Sequence, residues 1–166
     1  MSKAFLMCGR ICSGKSTYAR KLREKHKAVI LSVDEITLAL FGRDVGEKHD
    51  SYVEKAEEYL YGKALEILES GINVVLDWGF WTRQERDYAR DLFGSRGIEY
   101  EFFYPEISPE EWKRRVQKRD REILEGRLEA YYVDEGLMAK FEGIFEPPEP
   151  DEEITFIPQP GSPLKE

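Results

Sequence analysis

The sequence has 166 residues, of which 41% are hydrophobic and 35% charged, with a formal net charge of −8. This length fits one domain with one hydrophobic core. The negative balance argues against an extended nucleic-acid surface, because such surfaces normally carry net positive charge.

Neither a membrane segment nor a disulfide framework is indicated. No apolar run approaches the roughly 20 residues of a membrane-spanning helix, and the stretch before Gly9 is too short for a secretory signal. Cys8 and Cys12 are the only cysteines, which are too few for a disulfide framework. These features predict a cytoplasmic protein with free thiols and no membrane partner, and they leave its oligomeric state open.

Short apolar runs alternate with helical segments along the chain. The predicted strands are residues 4–8, 29–33, 72–76, 100–104 and 154–157. The segments between them are long enough for crossover helices, which parallel strands require. Three of the runs are nearly continuous apolar stretches, as in strands buried on both faces. The pattern therefore predicts an α/β fold with a parallel sheet covered by helices.

Start and stop signals mark the helices. Thr82 with Glu85 forms a capping-box pattern, and Ser108 with Glu111 forms a second one with Pro109 at the first helical position. Apolar periodicity and flanking residues predict further helices over residues 17–25, 35–41, 50–70 and 134–145. Residues 1–158 are expected to form one domain, and residues 159–166 a flexible tail.

The segment between the first strand and the first helix, GRICSGKS at residues 9–16, matches the P-loop pattern G-x-x-x-x-G-K-[ST]. Its backbone N–H groups would surround a phosphate at a helix N-terminus. Lys15 would reach the β- and γ-phosphates, and the Ser16 hydroxyl would ligate Mg²⁺. The predicted nucleotide-binding residues here are Gly9, Arg10, Ile11, Cys12, Ser13, Gly14, Lys15, Ser16 and Thr17.

Asp34 follows the second predicted strand, in LSVDE. Ligands of open parallel sheets gather at the carboxyl ends of the strands, so Asp34 should face the same crevice as the P-loop. There it could take the proton of an acceptor hydroxyl. The alternative is that Asp34 caps the helix over residues 35–41.

Asp77 and the aromatic residues after it close the third strand. The carboxylate of Asp77 could hold the hydrated Mg²⁺ or orient the acceptor, or it could be a solvated turn residue. Trp78, Phe80 and Trp81 could line a pocket for an apolar acceptor, or they could pack the sheet against the next helix. The sequence does not decide between these alternatives.

The segment over residues 112–127 is rich in arginine. On a helical wheel at about 100° per residue with Trp112 as the origin, Arg119 falls at about −20°, inside the apolar stripe. Arg115 lies on its flank at about −60°, whereas Arg121 points away at about 180°. Because an inward-facing arginine needs an anion, Arg119 and then Arg115 are the candidates for contacting a nucleotide phosphate.

With these motifs in this order, the chain resembles the small P-loop kinases related to chloramphenicol phosphotransferase, zeta toxins and the 5′-kinase domain of polynucleotide kinase. The resemblance implies a nucleoside-monophosphate-kinase-like, three-layer α/β/α fold with strand order 2-3-1-4-5 and a lid over about residues 109–135. It also implies ATP and Mg²⁺ as cofactors. Asp34 matches the catalytic base, Asp77 the acceptor-side carboxylate and Arg119 the lid arginine.

One position departs from the polynucleotide kinases. They carry an arginine three residues after the base, and here that residue is Thr37. Together with the net charge of −8, this difference argues against a nucleic-acid partner. The sequence predicts an ATP-dependent phosphotransferase acting on a hydroxyl of a small molecule. The alternatives are a polynucleotide or nucleoside 5′-kinase and a nucleotide-binding regulator with little transfer activity.

Overall fold

The computed structural model describes residues 1–159. Five strands form one all-parallel sheet in the order β2-β3-β1-β4-β5. The strands are β1 Lys3–Met7, β2 Val29–Ser32, β3 Val74–Asp77, β4 Glu99–Glu106 and β5 Ile154–Pro158. The predicted α/β class and the strand order 2-3-1-4-5 are confirmed. The predicted tail lies outside the described residues, except for Gln159.

Helices connect every pair of consecutive strands. They are α1 Lys15–His26, α2 Val33–Phe41, α3 His49–Glu69, α4 Arg83–Gly94, α5 Pro109–Leu124 and α6 Glu135–Ile144. Helix α1 begins at Lys15, earlier than predicted, because the P-loop leads directly into it. Within residues 1–159 no helix combines the length and the apolar character needed to cross a membrane.

The hydrophobic core has a layer on each face of the sheet, because successive side chains of a strand point to opposite faces. Leu6 of β1 belongs to the larger cluster, together with Leu60 of α3 and Phe93 of α4. Its neighbour Phe5 packs on the other face with Leu22 of α1. This arrangement gives the predicted three layers and leaves the carboxyl ends of the strands for the loops.

The two predicted capping boxes differ in the structure. At α4, the Thr82 side chain accepts from the Glu85 N–H and the Glu85 side chain accepts from the Thr82 N–H, so the box is complete. At α5, Ser108 accepts from the N–H of Glu111. The Glu111 carboxylate, however, binds two arginines of its own helix, so the second box is only half formed.

Candidate active site

The P-loop lies at the carboxyl end of β1, and backbone hydrogen bonds join this region to β4 and to the loop after β3. The N–H of Cys8 donates to Phe103 O at 2.8 Å, and the N–H of Gly9 donates to Gly79 O at 2.9 Å. Gly9 has a φ of +136°, and a side chain there would crowd Ser13 Oγ, at 3.2 Å from the Cβ position. The loop therefore needs glycine at this position to turn back over the strand.

Lys15 lies inside the curve of the P-loop. Its Nζ donates to Gly9 O at 2.6 Å and to Arg10 O at 3.0 Å. Burial lowers the pKa of Lys15, whereas the charges of Asp77 and Asp34 act to raise it. The two carboxylates predicted from separate strand ends thus act on the same ammonium group.

Asp77 lies at the end of β3, next to the P-loop. Its register partners are Met7 of β1 and Ser32 of β2. Burial raises the pKa of Asp77 above its usual range, while Lys15 and a hydrogen bond from Ser16 act to lower it. Asp77 is half-buried in the sheet, so the alternative of a solvated turn residue is wrong.

The Ser16 hydroxyl and the Asp77 carboxylate fit the requirements of a magnesium ion. Mg²⁺ prefers oxygen ligands, and in phosphate-binding sites it is held by one or two protein groups together with phosphates and waters. A neighbouring hydroxyl and carboxylate provide such a pair. Across residues 1–159 no group of three or more His, Cys, Asp or Glu side chains is placed to form an all-protein metal site.

Asp34 lies in the first turn of α2 and does not cap it. The cap is Ser32, whose Oγ accepts from the N–H of Glu35 at 3.2 Å. The predicted alternative role of Asp34 as helix cap is therefore wrong, because α2 begins one residue before it. The Asp34 side chain is exposed and forms no hydrogen bond within the described residues, so its oxygens are available to a ligand.

The aromatic residues after β3 mainly pack the core. Trp78 is 7% exposed and Phe80 1% exposed, and their rings stack with centroids 5.2 Å apart. Trp81 is half-buried and contacts Phe141 of α6, with ring centroids 5.0 Å apart. The packing alternative is the right one for Trp78 and Phe80, which have no surface left to offer an acceptor.

The segment predicted to be a lid, residues 109–135 (the lid below), contacts the P-loop directly. The Nε1–H of Trp112 in α5 donates to Ile11 O at 2.8 Å. Ile11 and Cys12 also pack against an apolar cluster that includes Trp112 and Val133. Two of the four P-loop residues that the motif leaves unspecified, Ile11 and Cys12, therefore form a contact surface for the lid.

The arginines of α5 lie as the helical wheel indicates. Arg119 is half-buried and its Nη1 lies 3.5 Å from Cys12 Sγ, whereas Arg121 is exposed. Arg119 forms no ion pair within the described residues. Arg115 is half-buried, pairs with Glu111 at 2.8 Å and donates to Gln159 Oε1 at 3.2 Å. A guanidinium without a carboxylate thus lies beside the P-loop.

Comparison with known proteins agrees with this geometry. Residues 5–148 match the family model described as AAA domain. The chain belongs to this AAA-domain family. A comparison with curated proteins finds no match.

Solved structures similar to this AAA domain include several that are described as kinases. A sugar kinase from Janibacter sp. HTCC2649 is 17% identical over 95% of this chain and 86% of that one, with a TM-score of 0.66. The APS kinase CysC of Mycobacterium tuberculosis, in complex with AMPPNP and APS, is 21% identical over 97% and 90%, with a TM-score of 0.64. The Pnkp1/Rnl/Hen1 RNA repair complex contains a chain 20% identical over 84% and 42%, with a TM-score of 0.68. At these identities the similarity shows the fold.

Sequence reasoning gave Arg10 of this AAA domain only a backbone role. In the structure its guanidinium carbon lies 5.2 Å from the Trp112 ring centroid and 5.1 Å from that of Phe145. Its Nε is buried and has no hydrogen-bond partner within the described residues. Arg10 thus joins the P-loop to the lid and to the end of α6 through cation–π contacts with these two rings. Both rings lie more than 100 residues away along the chain, so no local pattern could reveal them.

Sequence reasoning also missed the role of Arg86, a fully buried residue of α4. Its Nε and Nη2 donate to the Glu152 carboxylate at 2.7 and 2.8 Å. Its Nη1 donates to Phe80 O and Glu146 O, each at 3.0 Å. Arg86 therefore holds the loop after β3 and the segment before β5 in place behind the P-loop.

Proposed function

We propose that this AAA domain is an ATP-dependent kinase that transfers the γ-phosphoryl group to a hydroxyl of a small molecule. The observation that carries the proposal is the convergence of four kinds of group at one edge of the sheet. These are the P-loop with Lys15, the Ser16–Asp77 pair, the exposed carboxylate of Asp34 and the half-buried Arg119. Phosphoryl transfer depends mainly on positioning and electrostatic stabilisation, which such a set of groups provides.

The donor side is formed by the P-loop and the lid. Backbone N–H groups of residues 10–16 and the Lys15 ammonium bind the phosphates, with Thr17 at the start of α1. Arg119 and Arg115 face this region from α5. Magnesium, held by Ser16 and Asp77, supplies positive charge at the phosphate oxygens when it is bound.

The acceptor side is formed by Asp34 and Asp77. Asp34 takes the proton of the acceptor hydroxyl, because its exposed carboxylate is free of other partners in the described structure. Arg119 neutralises charge on the transferred group, since it has no carboxylate of its own. The lid, docked through Trp112 on the P-loop, excludes water from the donor phosphates.

A polyhydroxylated small molecule is the acceptor class that we favour. Thr37, the residue that replaces the polynucleotide-kinase arginine, is 2% exposed and presents no positive charge. The fold is shared with a sugar kinase. A polynucleotide 5′-kinase is the second candidate, because a chain of an RNA repair complex has a similar fold.

An acceptor screen tests the proposal. The protein with ATP·Mg²⁺ is incubated with sugars, sugar acids, amino sugars, nucleosides, antibiotics and oligonucleotides, and ADP release is measured. We expect one class of small hydroxyl compound to raise turnover, and Lys15→Ala to abolish the gain by removing productive ATP binding. Stimulation by oligonucleotides alone would favour the second candidate. No stimulation by any acceptor would favour a nucleotide-binding regulator.

Asp34→Asn tests the base. The helix is capped by Ser32, so we expect unchanged melting behaviour and ATP affinity. The transfer rate should fall by about 10²–10⁴-fold, the usual range of general-base assistance, although a late proton transfer would reduce the loss. Glu35→Gln, the same change at the neighbouring exposed residue, is the control. A parental rate for Asp34→Asn would move the base to Asp77.

A further inference from the structure

Tyr131 joins the lid to the acceptor-side helix α2. Its hydroxyl donates to Thr37 Oγ1 at 2.9 Å, across 94 residues of sequence. Thr37 is buried, and its hydroxyl in turn donates to Val33 O at 2.9 Å and lies 3.3 Å from Asp34 O. A chain of hydrogen bonds therefore runs from the lid to the backbone of the proposed base.

The position of Thr37 in α2 makes this contact relevant to the acceptor. Residues three apart lie on the same side of a helix, so Tyr131 reaches the side of α2 that carries Asp34. The neighbouring Tyr132 is 48% exposed and forms no hydrogen bond within the described residues. The contact is therefore specific to one of two adjacent tyrosines.

A second set of contacts supports the lid at the same place. The Tyr131 ring meets the His49 ring edge-to-face at the start of α3, with centroids 5.0 Å apart. From α6, Lys140 pairs with Asp50 at 3.4 Å. The lid thus contacts the P-loop through Trp112, and α2 and α3 through Tyr131.

We propose that Tyr131 is a positioning residue for the acceptor. Through its hydrogen bond to Thr37 it fixes the end of the lid on α2 and forms the wall of the acceptor site beside Asp34. The Thr37 hydroxyl is also bound to the backbone of α2, so the lid end is held by the helix that carries the proposed base. This inference rests on the proposed function.

A double-mutant cycle tests the contact without any acceptor. The variants are Tyr131→Phe, Thr37→Val and the pair, and Tyr132→Phe is the control. Amide hydrogen exchange of residues 125–134 is followed in full-length protein with AMPPNP and Mg²⁺. Each single variant should exchange about 2- to 12-fold faster, the factor that corresponds to one hydrogen bond. In the Thr37→Val background Tyr131→Phe should have no further effect, because both changes remove the same bond.

Two results would contradict the proposed role of the Tyr131–Thr37 hydrogen bond. One is additive acceleration in the double variant, and the other is equal acceleration by Tyr132→Phe. Either would show that the tyrosine ring or the general mobility of the lid, and not the Tyr131–Thr37 bond, governs exchange.

Steady-state kinetics with the acceptor found in the screen test the role. Tyr131→Phe should raise the acceptor KM several-fold and leave the KM for ATP unchanged, because the lid end loses its hydrogen bond to α2 beside Asp34. A change in the ATP KM with a constant acceptor KM would assign Tyr131 to the donor side and overturn the proposal. If no compound in the screen acts as an acceptor, the proposed function fails and the role of Tyr131 fails with it. If only the double-mutant cycle fails, the inference fails and the proposed function stands.

Discussion

The arginines of α4 and Arg119 of the lid differ in whether a carboxylate of the chain pairs with them. Arg83, Arg86 and Arg90 of α4 are all paired with carboxylates. Glu152 lies within ion-pair distance of all three and is closest to Arg86 and Arg90. Arg119 of the lid is half-buried, and its one side-chain hydrogen bond among residues 1–159 is to the sulfur of Cys12. A guanidinium that is withdrawn from water needs an anion. An arginine that pairs with a carboxylate of the protein therefore stabilises the fold, whereas Arg119, which has no such partner in the described structure, is available to a ligand.

The charge state of Glu152 shows how strongly the α4 set is paired. Burial acts to raise its pKa, but Arg86, the N–H of Glu149 and Arg90 hold that pKa at about 2. The carboxylate therefore stays ionised inside the protein at neutral pH. Nothing comparable neutralises Arg119 within residues 1–159, although the chain as a whole is acidic.

The largest expected effect is on stability, from Arg86→Met. Removing the guanidinium leaves the Glu152 carboxylate, whose side chain is 0% exposed, without its bidentate partner. Breaking a buried pair in this way costs about 3–5 kcal/mol of unfolding free energy, measured by chemical denaturation. Arg96→Met, an exposed change just after the same helix, is the control. A loss below about 1 kcal/mol would show that Arg90 alone satisfies Glu152.

Arg119→Ala should affect activity and spare stability. We expect transfer to the acceptor to fall about 10³-fold, in the range reported for arginines that stabilise phosphoryl transfer. The unfolding free energy should change by no more than about 0.5 kcal/mol, because no ion pair is broken. Arg121→Ala, one of the exposed arginines of α5, should retain parental rates. Equal losses in the two variants would remove Arg119 from the proposed site.

The pH dependence of stability should separate paired from unpaired carboxylates. Glu57 of α3 is half-buried and pairs with no cation in the described part of the chain; burial, with the charges of Glu85 and Glu54, raises its pKa to about 7. A raised carboxyl pKa means that the folded state holds the proton more tightly, so stability falls as the pH rises from the unfolded pKa through 7. Glu152, with its lowered pKa, contributes stability that is lost as the pH falls towards 2.

The variant Glu57→Gln isolates the contribution of Glu57 to the pH dependence of stability. It should stabilise the protein by about 1–2 kcal/mol at pH 8 and change little at pH 5, since the parental carboxyl is then protonated. Thermal unfolding at both values, with Glu58→Gln as the exposed neighbour control, measures the difference. A gain of equal size at both pH values would show that the ionisation of Glu57 is not its cause.

The smallest expected effect is from Arg83→Ala. Arg83 pairs with Asp87, Glu149 and Asp151, whose side chains are substantially exposed. Its Nη1 also lies 3.9 Å from the buried Glu152, which Arg86 and Arg90 bind more closely. Exposed ion pairs contribute about 0.2–1 kcal/mol and are screened by salt. The loss of unfolding free energy should therefore be small and should shrink further at high ionic strength. A salt-independent loss of several kcal/mol would put Arg83 in the same class as Arg86.

Much of the fold and the position of the P-loop could be predicted because the relevant residues are close in sequence. The P-loop is eight consecutive residues, and a strand buried on both faces leaves an apolar run at any position in a sheet. Helical periodicity was enough to separate Arg119 from Arg121, since an amphipathic helix buries one stripe wherever it packs. The carboxyl ends of β2 and β3 brought Asp34 and Asp77 to one edge, as parallel strands require.

The local sequence pattern was insufficient where it fitted two structural roles equally well. Both Ser32 and Asp34 are good helix caps, and the choice depended on where α2 begins. The aromatic residues Trp78 and Phe80 were suitable for a pocket or for the core, and the packing of α3 and α4 on the sheet decided for the core.

The sequence by itself determined the sheet, the phosphate-binding loop and the inward face of the lid helix, because each depends on spacing within one segment. Only the tertiary structure decided which arginine has a carboxylate and which tyrosine reaches α2. The Arg86–Glu152 pair spans 66 residues and the Tyr131–Thr37 bond spans 94. Such contacts depend on the relative placement of whole elements, which hydrophobic burial drives without regard to the identity of individual polar partners.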